Sequence, residues 1–226
     1  MVDVLYMRQS RKGGLMRIID ISRTISNGMP VFPGDAEVNL IKRSSLETDG
    51  FVSYRLDIGL HVGTHIDAPM HMVDDKRFVS DFDISKFIGK GVLLNVAEEN
   101  PIIMKPDYKQ IISEDSIVLL HTGHDRFWSE SPEEYYGNYP SVDPSLAEFL
   151  VSKKIKMLGM DMPSPDHAPY NIHKILLEND IFLLENLTNL QVLEGVSEFE
   201  VMAFPLKITA EGSFVRAVCR VCEVVS

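Results

Sequence analysis

Apolar and polar positions divide the chain into short strands and a few helices. RIIDIS (17–22) reads as a short strand, and NGMPVFPGD (27–35) as a turn-rich loop punctuated by Gly28, Pro30, Pro33 and Gly34. Residues 37–47 predict a strand with polar interruptions, followed by a turn at Thr48 to Gly50. Leu56, Ile58, Leu60 and Val62 then alternate with Arg55, Asp57 and His61, which predicts a half-buried strand with His61 on its polar side. The charged stretch 72–89 predicts an irregular loop. GVLLNVA (91–97) and SIVLLHTG (116–123) are buried strands, separated by a short helix over 105–112 that Pro106 opens. Residues 125–141, rich in Tyr, Glu, Pro and Ser and including Trp128, predict a long loop able to fold over a site.

The second half is better punctuated. Asp143 as N-cap and Pro144 in the first turn start a helix with the apolar stripe Leu146, Phe149 and Leu150. KIKMLGMD (154–161) is a strand and MPSPDHAPY (162–170) a loop. NIHKILLEND (171–180) is a helix with Ile172, Ile175 and Leu176 on one face, and IFLLENL (181–187) is a strand. FPLKITAEGSFVRAVCRV (204–221) reads as two strands joined by a Gly-containing turn. Strands and helices mix without regular βα alternation, so the pattern predicts an α+β or mixed α/β fold with a largely antiparallel sheet.

Composition narrows the class. A chain of 226 residues with 45% hydrophobic and 24% charged residues fits one globular domain, here 16–226. Residues 1–15, ending in RQSRKGG, show no periodicity and predict a disordered leader, with Met16 a candidate natural start. A formal net charge of −11 argues against nucleic-acid and anionic-membrane partners, which need a basic surface. No apolar run approaches a membrane span and no signal-peptide core stands at the N-terminus, so a cytoplasmic protein is expected. Cys219 and Cys222 lie in a β-branched run at a spacing that sends them to opposite strand faces, and read as small strand residues.

The chemistry concentrates in HVGTHIDAPMH, where His61, His65, Asp67 and His71 fall within eleven residues. A lone strand histidine is usually a hydrogen-bonded core or surface residue; four such groups together point elsewhere. In an extended segment His65 and Asp67, at i and i+2, point the same way. Gly63 allows a turn, and Pro69 restricts Ala68 to extended backbone and holds His71 just beyond. Neutral imidazole and carboxylate are the donors that zinc and other first-row divalent ions accept. The alternative is a solvated loop cluster. Further on, Glu185 follows four apolar residues, where a carboxylate needs a metal or a donor to compensate it.

HVGTHIDAPMH resembles the signature of the cyclase-type metal-dependent hydrolases, which include bacterial kynurenine formamidases and isatin hydrolases. The resemblance runs from about Ile18 to the C-terminus, where FVRAV is similar to the family's terminal strand. It implies the swivelling β/β/α fold, a homodimer or homotetramer, and two divalent metal ions per subunit, zinc first and manganese second. By this resemblance His61 and His65 hold one ion and His173 the other, Asp67 and Glu185 are bridging or shared, and His71 moves protons. His173 and Glu185 match a helix histidine and a strand-end glutamate twelve residues apart. Phe32, before Pro-Gly-Asp, takes the place of a substrate-lining aromatic, and Ser164 and Asp166 are candidates for orienting water or a ligand. His121 and His124 remain unassigned. The implied activity is hydrolysis of the carbon–nitrogen bond of a small amide, an aryl formamide first and a cyclic amide second. A non-catalytic metal- or ligand-binding module is the competing class; a structural zinc site ranks below it because such sites favour cysteine.

Overall fold

The computed structural model describes residues 4–9 and 15–223. Among these, twelve strands form: β1 (Val4–Gln9), β2 (Leu15–Asp20), β3 (Asn39–Ser44), β4 (Ser53–Asp57), β5 (His65–Asp67), β6 (Ile88–Asn95), β7 (Ile117–His121), β8 (Met157–Met160), β9 (Phe182–Glu185), β10 (Phe199–Met202), β11 (Gly212–Phe214) and β12 (Val218–Glu223). The helices are short: α1 (Leu46–Asp49), α2 (Tyr108–Ile111), α3 (Phe127–Glu130), α4 (Pro132–Gly137), α5 (Pro144–Ser152) and α6 (Asn171–Leu177). Ten strands make one sheet in the order β1-β2-β12-β10-β6-β7-β8-β9-β5-β11, while β3 and β4 pair separately. The sheet is mixed. Strands β6 to β9 run parallel, and every other pairing in it is antiparallel.

The parallel centre explains the unbroken apolar runs of the sequence, since helices or other chain cover both faces of such strands. Alternate residues feed two cores. Val118, Leu120, Leu158, Met160 and Leu183 pack with Leu146 and Leu150 of α5 and Ile172 and Leu176 of α6. Ile117, Leu119, Met157, Phe182 and Leu184 pack on the other face with Ile19, Leu187 and Val201. Each fully buried Leu or Ile stabilises the fold by roughly 1.5–3 kcal/mol, so β9 and α6 form a rigid mount. Asp143 caps α5 as expected, its Oδ1 accepting from Ser145 N–H at 2.9 Å.

Several expectations change. The strand expected to carry His61 ends at Asp57; Tyr54 and Leu56 are exposed on the β3–β4 hairpin, and His61 lies in the turn that follows. The alternation there belongs to an unpartnered hairpin rather than to a core strand. Ser45 and Gly50 cap the one-turn helix α1 where a strand end was expected, Gly50 at φ +74°. The loop 125–141 folds into α3 and α4, which bury Trp128, Tyr135 and Tyr136. Gly212 is not in a turn but inside β11, facing β5, and β11 and β12 do not pair with each other. Of the leader 1–15, Val4–Gln9 pair with β2, whereas residues 1–3 and 10–14 lie outside the described residues. Cys219 is buried in β12, and burial pushes its thiol up from the usual range. The Cys222 side chain lies outside the described residues. No helix among the described residues is long and apolar enough to cross a membrane.

Candidate active site

Three elements converge at the carboxyl end of β9. Antiparallel pairing of β5 with β9 sets His65 opposite Glu185 and Asp67 opposite Leu183, which puts the side chains of His65, Asp67 and Glu185 on one face of the sheet. Helix α6 packs on β9 and brings in His173. His61 enters from the turn before β5, where Gly63 takes φ +68°. Ala68 is extended before Pro69, as that proline requires, and the 3₁₀ turn Pro69–His71 delivers His71.

The distances make one cluster. His65 Nε2 lies 3.2 Å from Asp67 Oδ1 and 3.4 Å from Glu185 Oε2. His173 Nε2 lies 3.5 Å from Glu185 Oε1 and 3.8 Å from Asp67 Oδ2. His61 Nδ1 is 2.7 Å from Asp67 Oδ1. The His71 ring stacks on His61 with centroids 4.1 Å apart and sits 6.3 Å from His173. Its ring nitrogens make no hydrogen bond among the described residues.

Hydrogen-bond directions fix what this cluster lacks. His65 Nδ1–H donates to Gly63 O at 2.8 Å, so in the neutral ring Nε2 presents a lone pair to two carboxylates. His173 Nδ1–H donates to Asp166 Oδ1 at 2.5 Å, with the same consequence. Glu185 Oε1 is buried without a hydrogen-bond donor among the described residues. His65, Asp67 and Glu185 are only 2%, 1% and 4% exposed, so water does not compensate them. Acceptors facing acceptors in a buried site demand positive charge. Protons are one source: the His65 and His173 pKa values are each pushed up to about 10, because the neighbouring carboxylates outweigh a burial that alone would lower them. Asp67 sits well below the usual carboxylate range: its burial would raise it, but the adjoining His61 and His65 outweigh that burial. Divalent cations are the other source, and nitrogen and carboxylate oxygen donors at this spacing fit them. His71 behaves differently. Burial is the largest influence on it and lowers its pKa, keeping the ring neutral near pH 7.

Above the cluster opens a cavity of about 220 Å³, walled by Phe32, Tyr136, Tyr139, Tyr170 and Met72. Phe32 packs edge-on against Tyr136 at 5.6 Å. The three tyrosines escaped sequence reasoning, although for Tyr136 and Tyr139 the aromatic enrichment of the nominal loop 125–141 was a usable signal. Asp166, named only as a minor candidate, holds both the ring of His173 and the N-terminus of α6, whose Ile172 N–H donates to Oδ2 at 2.6 Å. Ser164 donates to Asp166 O at 2.7 Å and so shapes that loop as well as lining the cavity. Glu211, with Oε1 3.2 Å from His61 Nε2, had no local sequence signal. His121 and His124 lie away from the cluster: His121 Nδ1 is 3.1 Å from Glu194, and His124 Nε2–H donates to Tyr135 O at 2.9 Å.

Comparison with known proteins agrees with this architecture. The Cyclase family model, described as "Putative cyclase", matches residues 19–167. A protein named kynurenine formamidase from Bacillus mycoides (strain KBAB4) is 33% identical over 207 residues, covering 89% of this chain and 96% of that protein. An isatin hydrolase structure with the product analogue thioisatinate superposes with a TM-score of 0.81 at 22% identity, covering 91% of this chain and 92% of the other. A predicted metal-dependent hydrolase from Bacillus stearothermophilus gives 0.72 at 24% identity, covering 91% and 98%. With the family model matched over most of its length and a 33%-identical relative spanning nearly all of it, this chain belongs to the Cyclase family.

Proposed function

We propose that this protein hydrolyses the carbon–nitrogen bond of a small aryl formamide, using two divalent cations, zinc before manganese, held by His61, His65, Asp67, His173 and Glu185. His61 and His65 would hold one ion and His173 the other, with Asp67 and Glu185 shared. The observation that carries the reading is the buried confrontation of histidine lone pairs with carboxylates, including the undonated Oε1 of Glu185, on the floor of an aromatic-walled cavity. Bound there, two adjacent divalent cations lower the pKa of water toward neutrality and polarise a carbonyl oxygen. The chain's own residues supply the rest. Phe32, Tyr136 and Tyr139 offer ring faces and edges to an aryl leaving group. Neutral His71, without a hydrogen bond at either ring nitrogen among the described residues, takes a proton from the water attacking the formyl carbon and returns it to the departing nitrogen. The new C–O bond forms at the formyl carbon and the C–N bond then breaks, giving the aryl amine and formic acid, which releases its proton to solvent as formate.

The formamide is preferred because the 33%-identical relative carries the name kynurenine formamidase. A cyclic amide is the second reading, favoured by the close superposition with an isatin hydrolase. We also propose self-association as a homodimer, supported by Ile41, Leu46, Phe51, Val52, Tyr54 and Leu56, which leave the β3–β4 hairpin apolar and exposed. The test is to assay purified protein against an aryl formamide and an isatin-type lactam before and after complete chelation. The expected result is formamide turnover exceeding lactam turnover, lost on chelation and restored by zinc or manganese. Turnover that survives metal removal would sink the mechanism. Metal binding without turnover of either substrate would leave a binding module.

A further inference from the structure

The ring of His61 is met on its outer side by a segment far from its own motif. Its Nδ1 points at Asp67 Oδ1 at 2.7 Å, and its Nε2 at Glu211 Oε1 at 3.2 Å, 150 residues away in sequence. A neutral imidazole has one N–H and one lone pair, so the two nitrogens cannot both donate. The cluster side already lacks donors, and the outer side offers only a carboxylate. With a cation held between Nδ1 and Asp67, both sides are satisfied together when Nε2 keeps the proton and gives it to Glu211 while Nδ1 turns its lone pair to the cation.

The backbone is shaped for this contact. Gly212 pairs with Asp67 across β11 and β5. A Cβ at Gly212 would lie 2.7 Å from Ile66 O and 3.1 Å from His61 Cε1, so no other residue lets β11 approach both the strand and the ring. Glu211, immediately before it, is thereby set against the edge of the imidazole. On the inner side His61 and His71 stack at 4.1 Å, and Glu211 is the polar partner on the ring's outer edge.

We propose that Glu211 is a positioning residue: its carboxylate accepts the Nε2–H of His61, fixing that tautomer so that Nδ1 is the nitrogen presented to the metal. The assignment rests on the two-cation reading of the site. Ligand histidines generally give their second N–H to a carboxylate or carbonyl, and loss of that partner costs about 10–100-fold in metal affinity. His65 and His173 use Gly63 O and Asp166 in this way. Glu211 completes the set for His61. Being 38% exposed in its side chain, it tolerates substitution without disturbing the core.

The experiment is competitive metal titration of the full chain with a chromophoric zinc chelator, on wild type, Glu211→Ala and Glu211→Gln, with the His61 ring nitrogens followed by ¹⁵N NMR in the zinc-loaded protein. The expected result is zinc affinity about 10–100-fold weaker in Glu211→Ala. Glu211→Gln, whose amide oxygen still accepts the bond, should restore affinity to within about threefold of wild type, and the wild-type spectrum should show a protonated Nε2 and a metallated Nδ1. Wild-type affinity in Glu211→Ala, equal losses in both variants, or a metallated Nε2 each overturn the assignment while leaving the metal site standing. A wild type that binds no zinc or manganese overturns the metal reading, and this assignment with it.

Discussion

The two sides of the histidine cluster are built differently. On the deep side His65, Asp67, His173 and Glu185 are almost fully buried, mounted on β5, β9 and α6. The deep histidines donate to partners as buried as themselves, Gly63 O and Asp166. On the shallow side His61 sits in a turn with its ring a quarter exposed, Glu211 is more open still, and His71 has no hydrogen-bond partner among the described residues. Buried electrostatics are strong and rigid, whereas exposed ones are screened and adjustable. The deep side is suited to holding charge in place, and the shallow side to moving a proton between cluster and cavity. Each prediction below separates holding from moving.

The largest effect falls on the deep side. Glu185→Gln keeps the shape but removes the charge of a proposed shared ligand. Cation catalysis is worth several kcal/mol, so turnover should fall on the order of 10³-fold or more, together with metal content measured by elemental analysis. Normal metal content in the variant would take Glu185 out of the centre. Next comes His71→Ala, for which the expected loss is about 10²–10⁴-fold in kcat with metal content near wild type. If metal and turnover vanish together, His71 is a ligand and the two-sided division fails.

How legible this was depended on range. His65 and Asp67 were readable because strand geometry alone aims i and i+2 together. His173 and Glu185 were readable through family resemblance, and the fold brings them to the cluster because β9 pairs with β5. Glu211 was not readable, since its place beside His61 depends on β11 returning to pair with β5 after 150 residues. The alternation around Leu56 misled because apolar residues on an unpartnered hairpin look the same in sequence as those facing a core. The segment 125–141 misled in the opposite sense: its polar residues hid Trp128, Tyr135 and Tyr136, which pack as a small core of their own. The apolar cores under β7, β8 and β9 were plain throughout, because parallel strands covered on both faces need unbroken apolar runs.

A smaller effect tests how the deep side is held. Asp166→Ala removes the acceptor for His173 Nδ1–H and the cap on Ile172 N–H. Metal affinity should weaken about 10–100-fold and thermal stability should drop by about 1 kcal/mol from the lost cap. An unchanged zinc affinity would show that β9 and α6 hold His173 without its carboxylate.

The smallest effect is the pH dependence of stability in chelated protein, and it probes the deep side alone. There His65 and His173 keep their protons up to about pH 10 in the fold, against an ordinary value of 6.5. Between those limits the folded chain binds more protons than the unfolded one, so the stabilisation is complete below pH 6.5 and is lost as pH rises through about 10. Cations neutralise the same carboxylates without protons, and the slope should flatten in metal-loaded protein. Denaturant midpoints measured at about pH 6, 8 and 9.5, with and without chelator, compare the two states under the linear dependence on denaturant. Parallel slopes in both would mean that protons and cations do not compete for one buried negative charge, and that the carboxylates of the deep side are compensated elsewhere.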